Sequence, residues 1–175
     1  MRWVLRSGHY AVTLVDLDLE TVTEPDRSWW RRRVELRDGW SEDDSWGNDG
    51  SWPGTEHLQV REPIPGEIPT FGVVMPTQPV GRTDPAAVDR HAAALREGRR
   101  PAAVLLTLVE TRYVACEWNE RFVIGVVLDG HHRLLAAARE GLPARAVMVT
   151  RLEDVGPAEH VDEVLAPLRP DATAP

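Results

Sequence analysis

The chain of 175 residues contains no lysine; its 20 basic side chains are all arginine. A Walker A phosphate loop needs a lysine, and so does a Schiff-base enzyme, so both are excluded. The bias itself fits the base composition of a GC-rich genome. Cysteine is almost as scarce. Cys116 stands alone, which rules out an intramolecular disulfide and any multi-cysteine zinc site. No apolar run reaches the roughly 18 to 20 residues of a membrane helix. The opening MRWVLRSGHYAVTLVDLDLE lacks a basic segment followed by an apolar core and a small-residue cleavage site. A cytoplasmic location, with no membrane partner, is therefore expected. Excess positive charge is missing too. The net charge of -8 argues against a broad nucleic-acid surface. Arg31, Arg32 and Arg33 cluster, but the acidic SEDDSWGNDG follows closely and opposes their field.

What remains is ordinary in bulk. Hydrophobic content of 42% and charged content of 27% fit one soluble globular domain with room for a small addition. The pattern divides the chain into three parts. Residues 1–70 read as a β-rich, tryptophan-containing extension. HYAVTLVDLDL alternates and carries Val and Thr, as a strand does, and RRVELR and EHLQVR suit further short strands. RDGWSEDDSWGNDGSWPG reads as a loop, and the proline-punctuated EPIPGEIPT as a boundary.

Residues 71–152 are more regular. FGVVMP suits a short strand. TDPAAVDRHAAALREG has helix signals at both ends: Thr83 or Asp84 to cap, Pro85 at the first position, Gly98 to stop. Val88, Ala92 and Leu95 fall on one face of it. PAAVLLTLVE, RYVACEW and RFVIGVVLDG follow as three strands, with WNER at residues 118–121 as the turn into the last. Their continuous apolar character predicts a sheet covered on both faces. HHRLLAAAREG is a second helix closed by Gly141, and ARAVMVTR one more strand. Residues 153–175 read as a short helix and a frayed tail. The expected class is α/β (α+β), a mixed sheet with flanking helices.

The densest polar cluster lies in VVLDGHHRLLAAAREG, at the seam between a strand and a helix. A helix leaves its first N–H groups unpaired and puts partial positive charge at the same end. Gly130 has no side chain to keep a ligand from the backbone. Arg133 adds a planar fork that suits phosphate oxygens. His131 and His132 add donors whose charge can change near neutral pH. Together they suit an anion, and phosphate is the natural one. Asp129 fits as the helix N-cap, as a ligand for Mg²⁺, or as a carboxylate that orients a histidine. The same junction also arises where Asp129 simply caps, Gly130 turns and the histidines are idle. Adjacent helical residues point about 100° apart, so His131 and His132 do not converge on one metal ion.

This stretch, continued as GLPARAVMV, resembles the signature of the ParB/sulfiredoxin superfamily, the ParB-like N-terminal domain. The upstream VDRHAAALREGRRPAAVLLTL is similar to that family's helix, glycine and following strand. The resemblance covers about residues 71–152. It implies a ParB/sulfiredoxin-like sheet and a turn that holds nucleotide phosphates. Members include partition proteins that bind CTP, sulfiredoxins that use ATP and a free-serine kinase that uses ADP. Carried over, Gly130, His131, His132 and Arg133 lie around the phosphates, with Mg²⁺ as a companion. Two departures stand out. His131 occupies the place of the sulfiredoxin cysteine, and His131-His132 replaces the Glu-Arg of partition proteins. Cys116 lies outside the motif. The residues after Leu152 are too few for a helix-turn-helix domain.

The function expected is nucleotide binding at the DGHHR turn, with phosphoryl transfer or nucleotide hydrolysis as its chemistry. Asp129, His131 and His132 are then the candidate catalytic groups, with Glu110, Glu117 and Glu120 as further carboxylates. A non-catalytic nucleotide- or phosphate-sensing module is the alternative, and a ParB-like nuclease a second. Trp29, Trp30, Trp40, Trp46 and Trp52 offer a protein-binding surface or, more plainly, a wedge that packs the extension against the main domain. The acidic loop lacks the ordered oxygens and distal Glu of a calcium-binding hand. His9, His57, His91 and His160 carry no assigned role.

Overall fold

A computed structural model describes residues 7–24, 27–28, 57–78, 80–114, 118–155 and 158–170. Its frame is a seven-stranded sheet: β1 (Tyr10–Leu17), β2 (Leu19–Val22), β3 (His57–Val60), β4 (Thr70–Met75), β5 (Ala103–Val114), β6 (Trp118–Asp129) and β7 (Ala144–Arg151). The helices are α1 (Pro85–Arg96), α2 (His131–Glu140), the single turn α3 (Leu152–Val155) and α4 (Ala158–Leu165). The mixed α+β class read from the pattern holds. Among the described residues no helix is long and apolar enough to cross a membrane.

The spatial order is β1-β7-β5-β6-β4-β3-β2. β7–β5 and β6–β4 are parallel pairs, and the rest are antiparallel. The two outermost strands are consecutive in the chain, separated only by Asp18. Residues two apart along a chain lie within about 7 Å of each other. β1 and β2 therefore meet at Asp18, where the chain passes from one end of the sheet to the other. The Asp18 carbonyl accepts from Arg61 N–H at 2.9 Å, which pins the bend to the end of β3.

Alternation along the strands sends Val15, Leu17, Leu19, Leu58, Leu105, Val123, Val127 and Met148 into one core. Leu134 and Ala137 of α2, with Val161, Val164 and Leu165 of α4, complete it. The segment read as a boundary joins β3 to β4, neighbours in the same sheet, so β1 to β3 share the sheet and core of the later strands.

The outer face is covered only in part, unlike the expectation. At β4 and β6, Phe71, Val73, Phe122 and Ile124 form a buried cluster. On β1 and β5, Val12 is 67% exposed, Leu14 44% and Leu108 43%. The other strand expectations change in detail. PAAVLLTLVE and RYV form one continuous strand, and residues 118–121 are paired within β6, opposite Val114 to Thr111. WNER is thus not the turn; register pairing of the long hairpin runs through it. RRVELR, the acidic loop, Trp29, Trp30, Trp40, Trp46, Trp52, Cys116, Glu117 and the tail 171–175 lie outside the described residues.

Candidate functional site

Parallel neighbours end at the same edge of a sheet. β4 pairs with β6 from Thr70 opposite Arg121 to Met75 opposite Val126, so the segment after β4 emerges beside the Asp129–Gly130 turn. Ligands of α/β proteins favour such crevices outside the carboxyl ends of strands. The segment 77–84 then leads into α1, which packs on α2 through Val88, Ala92 and Ala136.

α1 and α2 point the same way. Asp84, the N-cap of α1, donates its N–H to His132 Nε2 at 3.2 Å near the start of α2. At the other end Arg96 bonds Glu140 at 2.7 Å. The positive ends of two helix dipoles therefore converge on one place. The helix boundaries follow the expected chemistry. The Asp84 carboxylate accepts from Ala86 N–H at 3.0 Å, Pro85 opens α1, and Gly98 and Gly141 take left-handed backbones at the two stops.

Each residue of the DGHHR turn can now be placed. Gly130, not Asp129, is the N-cap of α2, with φ 98° and no side-chain cap. A Cβ on Gly130 would stand 2.7 Å from Ala103 Cβ and 2.9 Å from Ala103 Cα. The close approach that glycine permits is thus made by β5 of the protein itself. Arg133 and Leu134 donate their N–H groups to the Gly130 carbonyl at 2.9 and 3.0 Å. The N–H groups of His131 and His132 have no acceptor among the described residues.

Arg133 Nη1 donates to the Ala102 carbonyl at 2.7 Å and to Asp129 Oδ2 at 3.1 Å. Its other two guanidinium nitrogens have no bond among the described residues, and the side chain is 30% exposed. Asp129 therefore serves as the partner of Arg133, four residues on. No group of three or more His, Cys, Asp or Glu that could hold a metal occurs among the described residues, so Asp129 has no companions as a metal ligand.

The histidine rings go to separate places, as their spacing requires. His131 Nε2 accepts the Thr77 N–H at 3.0 Å. Thr77 Oγ1 lies 3.1 Å from the same nitrogen and donates to the Val127 carbonyl at 3.0 Å. A ring nitrogen that accepts an amide N–H carries no proton, so Nε2 is the acceptor nitrogen of both rings. Burial, and then His132, hold the His131 pKa below the usual imidazole range, against the pull of Asp129. The pKa of His91, on α1, is lowered by burial and then by Arg133, His132 and Arg90. The cations near His91 are each matched by a carboxylate, Arg133 by Asp129 and Arg90 by Asp84. His91, Leu95, Arg133, Ala137 and Arg145 line a niche farther along the two helices, with about 10 Å³ of free volume, room for one water. A larger ligand must sit on the surface.

Comparison with family models, curated proteins and solved structures finds no match.

Geometry removes two of the expected carboxylates. Glu110 pairs with Phe122 and Glu120 with Arg112, far along the hairpin from Asp129. At about 3.3 Å per residue they lie roughly 20 Å or more from the turn. Glu120 is also buried. Sequence reasoning missed Thr77 and His91 and gave Asp84 only its capping role. The polar, glycine- and proline-bearing stretch between FGVVMP and the α1 cap was visible. Its contact with the turn depends on β4 lying next to β6, which local pattern does not show.

Proposed function

We propose that the protein binds the phosphate of a nucleotide at the corner where α1 and α2 begin. One observation carries the reading: two helix N-termini point at the same spot, and α2 brings two unpaired amides to it. The resemblance of the DGHHR stretch to the ParB/sulfiredoxin signature adds the nucleotide to the anion. The free nitrogens of Arg133 can reach a phosphate oxygen while Nη1 keeps its internal bonds. Mg²⁺ enters with the nucleotide and is assigned no protein ligand.

Recognition is favoured over turnover. Phosphoryl transfer needs a group that orients or deprotonates the attacking oxygen. Here His131 Nε2 and His132 Nε2 are spent on backbone amides, and Asp129 is spent on Arg133. The sensing module is therefore the form of the proposal, ahead of phosphotransferase, hydrolase or nuclease.

The test is thermal unfolding with inorganic phosphate, ADP, ATP and CTP, each with and without Mg²⁺, alongside phosphate release. A bound nucleotide raises the apparent melting temperature by mass action. The rise should vanish in Arg133→Ala, judged against that variant's own unliganded value, with no phosphate released. Absence of any rise at millimolar ligand overturns the proposal, and steady phosphate release overturns the preference for sensing.

A further inference from the structure

We propose that His131 and His132 form an acid-sensitive latch on the segment 77–84. The two rings accept the backbone N–H groups at the two ends of that segment, Thr77 at 3.0 Å and Asp84 at 3.2 Å. Both bonds use a ring lone pair on Nε2. A proton taken up there turns acceptor into donor and sets two N–H groups face to face. Acid thus removes both bonds with one chemistry, and the rings sit next to each other in sequence at the first turn of α2.

The ends of the segment respond differently. Thr77 keeps its hydroxyl bond to the Val127 carbonyl, and a protonated His131 can donate to Thr77 Oγ1, 3.1 Å away. The upstream end stays moored. At Asp84 the amide has His132 Nε2 as its acceptor, and that bond is lost. The Asp84 carbonyl and carboxylate still cap α1, so the change is local to the Asp84 amide. The groups around the latch set its range. His131 faces Asp129, which favours a proton, and His132, which opposes it, while burial opposes it more. His132 lies beside His91 and Arg133, with the Asp84 carboxylate and Arg90 on α1. His131 therefore takes its proton below the ordinary imidazole range.

The latch stands on these hydrogen bonds alone and is tested with no ligand present, so it can fail or hold independently of the nucleotide proposal. Amide hydrogen exchange of Thr77 and Asp84, followed by NMR in the full chain from pH 8 to pH 5 and corrected for intrinsic exchange, gives the readout. Protection of Asp84 should fall about tenfold or more on acidification, as loss of one hydrogen bond implies. In the double variant His131→Gln, His132→Gln, side-chain carbonyls accept at every pH, and protection should vary by no more than about twofold. Protection that ignores pH in the native chain, or that falls equally in the double variant, overturns the latch. Nitrogen-15 spectra of the native histidines give a second check that needs no variant. Rings protonated on Nδ1 at pH 8 support the latch, and rings protonated on Nε2 overturn it.

Discussion

Replacing Gly130 with alanine separates the two reasons for a glycine at the head of α2. Gly130 and Gly141 both have left-handed backbones, with φ 98° and 63°. An L side chain in that region costs about 1–2 kcal/mol. Gly141 has nothing within 4 Å of its would-be Cβ, so Gly141→Ala pays the backbone cost alone. At Gly130 the new methyl would meet Ala103 Cβ at 2.7 Å and Ala103 Cα at 2.9 Å. Overpacking of this kind adds about 1–3 kcal/mol, and a backbone atom cannot step aside as a flexible side chain can. Gly130→Ala should therefore cost about 2–5 kcal/mol, and Gly141→Ala about 1–2 kcal/mol. Urea unfolding at neutral pH measures both, with unchanged m-values as the sign that only stability moved. Adding Ala103→Gly to Gly130→Ala should return part of the loss, since one of the two close contacts goes. Equal losses at the two glycines, with nothing recovered through Ala103, would refute the argument. Gly130 would then be open to a ligand rather than filled by β5.

Three further outcomes follow from the fold. His57 is buried, bonded to Ser28 Oγ at 3.2 Å, with its pKa lowered from 6.5 to about 4 by burial. The unfolded state binds the proton first, so stability is full above pH 6.5 and falls as pH drops toward 4, by at most about 3 kcal/mol; His57→Gln should flatten the part of a urea-unfolding pH profile between 6.5 and 5. Asp84→Ala removes the N-cap bond to Ala86 and should lower stability by about 1 kcal/mol in the same assay. Leu134→Ala opens a cavity where α2 packs into the main core and should cost about 2–5 kcal/mol, read as a lower urea midpoint.

Sequence pattern carried the local elements and lost the long-range ones. The α1 cap, the two glycine stops and the strand alternation depend on neighbours in sequence, and they stand where the pattern put them. The union of RYV with the strand before it was hidden, because a long hairpin looks locally like two short strands. Coverage of the outer face was overread. Continuous apolar runs suited burial on both faces, yet Val12, Leu14 and Leu108 face outward. At the turn, residue types gave the right place and the wrong partners. Asp129 had the chemistry of a cap, but the cap is Gly130 and the carboxylate meets Arg133 one helical turn on. The histidines had the chemistry of donors to a ligand, yet their rings accept from Thr77 and Asp84. Those amides reach them only because β4 lies parallel to β6, a fact that no window of the sequence contains.

The bend at Asp18 has a consequence for how the chain assembles. β1 is made early by the ribosome, and its partner β7 is made late, with Tyr10 finally beside Arg151. Everything between must be threaded into register before that seam can close. Such long-delayed pairing slows folding and leaves an unmatched strand waiting. Once the seam closes, the waiting strand is paired with β7 from Tyr10 to Leu17.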